Sequence, residues 1–334
     1  MIRKEVKDFE PYRVMEGDYR IWLDKNESPF DVPVELKESF MKRLECVEFN
    51  RYPPISGEGL KEDLASQFDL DTSQVVIGNG SDQLIDCILD LFVGRDIVIH
   101  TPTFGMYTFY AKKKGLNVVE VPLDETYDLP ELDYGLEEVR AIFICSPNTP
   151  VGNMLNRDRI KDYLDTGYPM VLDEAYVDFA ERDHKELMDE YENLIILRTF
   201  SKAYGLAALR VGYAMGHGSV MEHLAKIVSP YNVNTLSLRL AEYMLREKEH
   251  IRERVEYIRK EREYIASQLS EYTHRSQTNF VMLDLDAYDY LLTKGIVVRK
   301  LAGRLEGKIR VTVGTREENR EVVEELKEFA GALG

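Results

Sequence analysis

Short apolar runs alternate with amphipathic segments from about residue 75 onward. The runs that predict strands are VVIG (75–78), DIVIH (96–100), NVVEV (117–121), AIFIC (141–145), MVLD (170–173), LIILRT (194–199) and VGYAM (211–215). Apolar residues at helical spacing mark the segments near 81–93, 105–114, 156–165 and 217–227. Strands that alternate with helices favour a mostly parallel sheet with helices on both faces. The pattern therefore predicts an α/β fold with a large domain over 45–235.

A long amphipathic segment follows this large domain. Apolar residues recur over 236–270 at spacings of mostly three, four or seven, which predicts one long connecting helix. The tail then alternates again, through FVMLDL (280–285), GIVVRKL (295–301), KIRVTVG (308–314) and a closing helix at 316–332. These elements predict a smaller α+β domain made of 1–44 and 271–334.

Charge and hydropathy restrict the partners and the location. The 334 residues include 43 Lys and Arg against 60 Asp and Glu, a net charge of −17. Such a field repels nucleic acid and anionic membranes, so neither is an expected partner. No apolar stretch reaches the roughly 18 residues that span a bilayer, and the N-terminus lacks the apolar core of a secretion signal. A cytoplasmic protein is expected, and its isolated cysteines, Cys46, Cys87 and Cys145, are expected to be reduced thiols rather than metal ligands.

The run TFSKAYGLAALRVG (199–212) directly follows the predicted strand LIILR. A lysine at the end of a strand, here Lys202, can bond an aldehyde when its amine is neutral. The hydroxyls of Thr199 and Ser201 and the guanidinium of Arg210 can hold a phosphate beside it. Taken alone, the pattern is more often that of a surface lysine.

Three further motifs follow predicted strands. Asp173 and Tyr176, after MVLD, can face a pyridine nitrogen and donate to a phenolate oxygen, although an aspartate here can also simply cap a helix. In GNGSD (78–82), glycines and a helix N-terminus can present backbone N–H groups to an anion, or be a plain N-cap. In PTFGMY (102–107), aromatic rings can stack on a flat ring or belong to the core. Because ligands gather at the carboxyl ends of parallel strands, one shared cleft is expected.

The chain resembles the fold-type-I aminotransferases that depend on pyridoxal 5′-phosphate (PLP), class II, and among them the histidinol-phosphate branch. The strings that carry the resemblance are PYRVMEG (11–17), LDKNESPF (23–30), RYPP (51–54), GNGSDQLID (78–86), PTFGMY (102–107), SPNTPVG (146–152), VLDEAY (171–176), TFSKAYGLAALRVG (199–212) and RVTVGTREEN (310–319). They extend over nearly the whole chain. The run at 199–212 is specific for the class, whereas NESPF, RYPP and VGTREEN point to the branch.

The resemblance implies a role for each matching residue. It implies Lys202 as the Schiff-base lysine, Asp173 at the pyridine nitrogen, Tyr176 at the ring oxygen and Tyr107 over the ring face. The implied phosphate ligands are Ser201, Arg210 and the backbone of Ser81 and Asp82. Tyr52 is implied to reach this phosphate from the neighbouring subunit, so a homodimer with shared active sites is expected. The implied substrate contacts are Tyr12, Asn26, Arg299 and Arg310.

One departure from the family pattern concerns the cofactor ring. The family commonly has Asn-Asn-Pro-Thr-Gly, whereas this chain has Asn148 and Thr149 at the first two positions. A threonine hydroxyl can donate to the ring oxygen, but it reaches less far than an asparagine amide.

The activity implied by the resemblance is amino-group transfer between L-histidinol phosphate and 2-oxoglutarate, which gives imidazole acetol phosphate and glutamate. Because one fold serves several PLP reactions, an aromatic amino-acid aminotransferase and a threonine-phosphate decarboxylase remain alternatives. A PLP-binding regulator without catalysis is a third, although the segment before the first predicted strand is too acidic and too short for a DNA-binding module.

Overall fold

Two β-sheets carry the fold of the computed structural model, which describes Ile2, Lys7, Phe9, 15–132 and 138–332. The strands are β1 (Ile21–Leu23), β2 (Val75–Asn79), β3 (Asp96–Thr101), β4 (Asn117–Pro122), β5 (Val139–Cys145), β6 (Met170–Asp173), β7 (Leu194–Thr199), β8 (Val211–Gly216), β9 (Phe280–Leu283), β10 (Ile296–Lys300) and β11 (Ile309–Thr312). The helices are α1 (Val34–Leu44), α2 (Glu58–Phe68), α3 (Gly80–Leu91), α4 (Met106–Lys114), α5 (Arg157–Leu164), α6 (Gly218–Ile227), α7 (Thr235–Arg246), α8 (Lys248–Gln268), α9 (Tyr288–Thr293) and α10 (Arg316–Gly331).

The larger sheet has seven strands in the order β2-β8-β7-β6-β5-β3-β4. Only β8 runs antiparallel to its neighbours, and the other pairs whose strands adjoin are parallel. The predicted α/β fold with a mostly parallel sheet is confirmed. Each of the seven strands predicted between 75 and 215 is present. The runs of the inner strands are buried on both faces, as a covered parallel sheet requires, whereas β4 lies at the edge of the sheet and is only partly buried.

Alternation along β5 shows how both faces of this sheet are covered. Ile142 and Ile144 belong to the hydrophobic cluster on one face, whereas Ala141 and Phe143 belong to the cluster on the other. Successive side chains of a strand point to opposite faces, so a strand between two layers of helices must be apolar at every position. This arrangement leaves the ends of the strands as the place for polar side chains.

The smaller sheet has four strands in the order β1-β10-β11-β9. Strand β1 pairs in parallel with β10, with Ile21 opposite Ile296, so a strand from the N-terminal segment completes a sheet of the C-terminal segment. The other two pairs are antiparallel. The predicted domain boundaries at 44, 235 and 270 stay a prediction.

The prediction of one helix over 236–270 is wrong. The segment forms α7 and α8, which are separated at Glu247, where ψ is 52° and the backbone leaves the helical region. Helix α7 packs against α2 on the larger sheet, whereas α8 packs against β9 and α10 beside the smaller one. Apolar spacing continues from Met244 to Ile251, seven residues later, so periodicity could not reveal the change of direction.

Candidate active site

The parallel strands of the larger sheet end at a single edge. The residues at the ends of five of these strands are Asn79, Thr101, Cys145, Asp173 and Thr199. Strand β8 runs the other way and therefore begins at the same edge, with Val211 opposite Asn79. Arg210, just before β8, is thereby brought to the motifs that follow the other strands. The predicted convergence of these motifs rests on this topology.

Lys202 lies in the turn after β7 and points across the cleft. Its Nζ donates to the backbone oxygens of Lys25 at 3.1 Å and Asn26 at 3.0 Å. Desolvation by the surrounding protein, with repulsion from Arg310, lowers the pKa of this amine to about 8. A substantial fraction of the amine is therefore neutral near physiological pH, as a nucleophile or a base must be.

Asp173 is buried at the end of β6. Its Oδ2 accepts from the hydroxyl of Tyr107 at 2.7 Å, and its Oδ1 accepts from the backbone N–H of Ala175 at 3.0 Å. Burial raises the pKa of Asp173 to about 6, and the two hydrogen bonds oppose that rise. Over 15–132 and 138–332, no cationic side chain forms an ion pair with this carboxylate. A cationic ring nitrogen would supply the missing partner.

Tyr107 is completely buried, and its ring lies 5.0 Å from that of Phe143. Its hydroxyl is committed to Asp173, a contact that no sequence pattern indicated. Phe104, from the same motif, is only partly buried and packs edge-on against Tyr107 at 5.5 Å. The contact of Tyr107 with a ring face stays a prediction.

An anion cradle lies at the N-terminus of α3. We use this name for Ser81, Asp82, Ser201 and Arg210. Arg210 Nη2 lies 3.0 Å from Asp82 Oδ2, and both side chains are partly exposed. A Cβ atom at Gly212 would collide with the backbone nitrogen of Ser81, so only glycine allows this approach. The free N–H groups of a helix start and one guanidinium suit a phosphate.

Ser201 and Thr199 are joined by a local hydrogen bond on the other side of the cradle. The backbone N–H of Ser201 donates to Thr199 Oγ1 at 3.0 Å, and both residues are buried. This bond shapes the turn that carries Lys202, one residue further on. The turn thus places the lysine beside the cradle.

Asn26 joins the two sheets at the cleft. Its Nδ2 donates to the hydroxyl of Tyr176 at 2.9 Å, and its backbone N–H donates to Thr312 Oγ1 at 3.0 Å. Its carbonyl oxygen accepts from Lys202 and from Asn279 Nδ2. Sequence reasoning missed Thr312 and Asn279. Thr312 follows Arg310 by two residues in β11, so strand alternation could have placed it on the same face.

Two arginines of the smaller sheet share one face. Arg310 Nη1 donates to Thr149 Oγ1 at 3.1 Å, and its Nη2 donates to the backbone oxygen of Asp24 at 2.7 Å. Arg299 is directly opposite Arg310 in the antiparallel register, so both side chains leave the sheet on the same side. Arg310 is partly buried, whereas Arg299 is exposed. The two side chains therefore lie next to each other on one face of the smaller sheet.

The remaining predicted site residues lie in different settings. Asn148 is buried, and its Nδ2 donates to the backbone oxygen of Pro102 at 3.0 Å. Tyr52 is 81% exposed and stacks on Tyr231 with 4.6 Å between the ring centroids. Tyr12 lies outside the described residues.

The groups that meet in the cleft fit one cofactor. An amine with a lowered pKa, a buried carboxylate that lacks a cation, and an anion cradle match the aldehyde, the ring nitrogen and the phosphate of PLP. Together with the α/β fold, these groups define a PLP-dependent enzyme. The profile of the family described as aminotransferase class I and II matches residues 20–326, and the chain belongs to this family.

The relatives are more specific. The chain is 48% identical over 331 residues to a histidinol-phosphate aminotransferase of Pyrococcus furiosus, with 98% of each sequence covered. It is 47% identical to a histidinol-phosphate aminotransferase of Thermococcus kodakarensis, with 99% of this chain and 100% of the relative covered. The crystal structure of histidinol-phosphate aminotransferase from Sinorhizobium meliloti in complex with PLP superposes with a TM-score of 0.87 at 22% identity. That superposition covers 100% of this chain and 98% of the other, and it supports the fold.

Proposed function

We propose that this protein transfers an amino group between L-histidinol phosphate and 2-oxoglutarate, giving imidazole acetol phosphate and glutamate in histidine biosynthesis, with PLP as cofactor. The observation that carries the proposal is Lys202, a partly neutral amine in one cleft with Asp173 and Arg210. The names of relatives at 47–48% identity support this choice of substrates.

Different residues of the cleft would bind different parts of PLP. When bound, PLP supplies an aldehyde that bonds to amines and a ring that accepts the electron pair left at the substrate Cα. Asp173 holds the proton at the ring nitrogen, because a buried carboxylate favours the cationic ring beside it. Tyr176 donates to the ring oxygen, and the anion cradle binds the phosphate. Thr149 Oγ1 accepts from Arg310 Nη1, and the hydroxyl of Tyr176 accepts from Asn26 Nδ2, so each hydroxyl keeps a proton that it can donate to the ring oxygen.

Lys202 is the residue that moves protons. With PLP and substrate bound, the amine of Lys202 would take the proton from the substrate Cα. A pKa of about 8 suits this task, since a base works best when its pKa is near the operating pH. The carbonyl oxygens of Lys25 and Asn26, which accept from Nζ, orient the amine.

Arg310 and Arg299 bind the anionic end of each substrate. Histidinol phosphate has no α-carboxylate, so its phosphate takes the place where glutamate presents a carboxylate. A guanidinium pairs with either anion through two parallel hydrogen bonds. The competing interpretation is that the exposed Arg299 is only a solvated charge at the end of a strand.

The experiment that tests the function is a half-reaction scan. Purified protein loaded with PLP is mixed with histidinol phosphate, threonine phosphate, phenylalanine or glutamate, and the absorbance of the cofactor is followed. Rapid conversion by histidinol phosphate and glutamate supports the proposal. Faster conversion by phenylalanine favours the aromatic aminotransferase, and release of CO₂ from threonine phosphate favours the decarboxylase. A spectrum that no amine changes would indicate a regulator without catalysis.

We also propose a cytoplasmic homodimer in which each subunit completes the other's active site. Tyr52, Phe49 and Ile55 expose 81%, 73% and 53% of their surface, and Tyr231 exposes 42%. Exposed apolar groups that cluster in this way mark an interaction surface.

The three free cysteines suit a reducing compartment such as the cytoplasm. Among the described residues, no helix has the length and apolar character needed to cross a membrane.

Subunit complementation tests the shared site. Mixing inactive Lys202→Ala protein with inactive Tyr52→Ala protein should restore part of the activity, because one site of each heterodimer keeps both residues. A monomer in sedimentation at micromolar concentration, or no recovery in proven heterodimers, would contradict the shared site.

A further inference from the structure

A buried charged cluster lies directly behind the cleft, and the proposed chemistry does not use it. Glu174 Oε2 accepts from Arg198 Nε at 2.9 Å and from Arg198 Nη2 at 2.7 Å. Glu174 Oε1 accepts from the backbone N–H of His184 at 2.9 Å and lies 3.0 Å from the Nδ1 atom of that residue. Arg198 also donates to Asp183 Oδ2 at 2.8 Å. Glu174 and His184 are completely enclosed, and Arg198 is nearly so.

The position of this cluster links it to the site. Glu174 follows Asp173, and Arg198 precedes Thr199, in neighbouring parallel strands. The backbone N–H of Glu174 donates to the oxygen of Leu197 at 2.8 Å, so the strands are still paired at this point. The side chains of Asp173 and Glu174 extend to different surroundings, one to the cleft and the other behind it. The Glu174–Arg198 pair thus joins the two strands where each supplies a residue to the cleft.

We infer that Glu174 and Arg198 are positioning residues, which hold Asp173 at a fixed distance from the turn that carries Lys202. The inference rests on the proposed use of PLP, because this cofactor must contact Asp173 at its ring nitrogen and Lys202 at its aldehyde. Because the PLP ring is rigid, it cannot keep its contacts with both Asp173 and Lys202 if the ends of β6 and β7 move apart. Side chains that brace the residues in contact with a cofactor fix the orientation of those residues.

Stability alone is a poor explanation for the cluster. A buried ion pair gains little net free energy of folding, because desolvation of both charges offsets their attraction. Glu174 also makes its contacts in a way that a neutral amide cannot copy. Oε2 faces two N–H donors of Arg198 and Oε1 faces the backbone N–H of His184, so a glutamine would turn its NH₂ group toward a donor in either orientation.

The test compares this pair with a matched pair at the surface. Arg246 donates from Nε and Nη2 to Asp63 Oδ2 at 3.1 and 2.8 Å, but its side chain is 61% exposed. The variants are Glu174→Gln and Arg198→Met, with Asp63→Asn and Arg246→Met as controls. For each folded protein, the dissociation constant of PLP, the urea unfolding of the apoprotein, and kcat and KM are measured.

Loss of the buried pair should weaken PLP binding about ten- to a hundredfold, the range typical when a residue that orients a ligand-contacting group is removed. The controls should stay within about twofold of the parent. Arg198→Lys keeps the positive charge but not the two parallel N–H donors of the guanidinium. This variant should bind PLP more tightly than Arg198→Met and less tightly than the parent.

Buried-pair variants that unfold more easily yet bind PLP as tightly as the controls would overturn the inference and leave a structural role. If Arg198→Met does not fold, Glu174→Gln and Arg198→Lys decide the question by the same criterion. A parent protein that binds no PLP at Lys202 would instead contradict the proposed function, so the two failures are distinguishable.

Discussion

The edge of the larger sheet and the face of the smaller sheet present different kinds of charge to the cleft. At the edge, burial lowers the pKa of Lys202 to about 8 and raises the pKa of Asp173 to about 6. At neutral pH Lys202 is therefore partly neutral, as a base must be, and Asp173 is mostly ionised, as the partner of a cationic ring must be. On the face, Arg310 and its cross-strand neighbour Arg299 carry guanidinium groups, which pair with carboxylates and phosphates through parallel hydrogen bonds. The edge is suited to proton transfer, and the face is suited to binding anions.

This difference has a structural origin. Lys202 and Asp173 come from the ends of fully buried strands, where the surrounding protein excludes water. Arg299 is an exposed residue of β10, and Arg310 donates hydrogen bonds to Thr149 Oγ1 and to the backbone oxygen of Asp24. Desolvation shifts the pKa of a group that is surrounded by protein. Variants at the edge should therefore impair the chemistry, and variants on the face should impair substrate binding.

Lys202→Ala should have the largest effect of these variants, because it removes the proposed chemistry at the edge of the larger sheet. Turnover should fall by about 10⁴-fold or more, because the variant lacks the amine that takes the proton from Cα. Borohydride reduction of the parent followed by peptide mapping should label Lys202. A label on another lysine of the parent would show that the edge is not the catalytic region.

Asp173→Asn should bind PLP and still lose most of the activity. An amide of the same shape cannot keep the ring nitrogen protonated, so kcat should fall about 10²- to 10³-fold. Asp96→Asn, at the opposite end of the larger sheet's strands, is the control and should behave as the parent. Near-normal turnover of Asp173→Asn would remove this carboxylate from the proposed mechanism.

Arg310→Leu and Arg299→Leu test whether the face of the smaller sheet binds the anionic end of the substrates. Arg310→Leu should reduce kcat/KM about ten- to a hundredfold for both half-reactions, since each loses a charge-assisted hydrogen bond. Arg299→Leu should affect histidinol phosphate more than glutamate, because a phosphate carries the larger charge. Equal handling of histidinol phosphate by Arg299→Leu and the parent would leave Arg299 outside the site.

The smallest expected effect is the pH dependence of PLP capture by the apoprotein, which tests the lowered pKa of Lys202 at the edge of the larger sheet. Capture of PLP, trapped by borohydride, should speed up by roughly tenfold between pH 7 and pH 9, with a midpoint near the lowered pKa of about 8. The unfolded chain keeps this proton up to its usual pKa of 10.5, so the free energy of unfolding should gain from Lys202 as the pH rises from about 8 to 10.5.

Lys202→Met is the control for this stability gain, because it has no amine to titrate. A difference in unfolding free energy between parent and variant that does not change between pH 8 and 10.5 would contradict the lowered pKa.

The elements and motifs of the larger sheet could be predicted from the sequence. Runs such as MVLD and LIILRT predicted β6 and β7 without error at either end, because the periods of strands and helices are local. Parallel strands share an edge by topology, so motifs that follow them, such as SKAYG and DEAY, were expected to meet. Local pattern and fold class thus placed these two motifs at one edge of the larger sheet.

Only the tertiary structure decided how these residues are held. Asn26 reaches Tyr176 and Thr312, and Tyr107 commits its hydroxyl to Asp173, across separations of 66 to 286 residues. The break at Glu247 likewise depends on what α7 and α8 pack against, which apolar spacing does not encode. Periodicity states which face of an element is buried but not which distant side chain meets it. The Glu174–Arg198 pair is therefore visible only after β6 and β7 lie side by side.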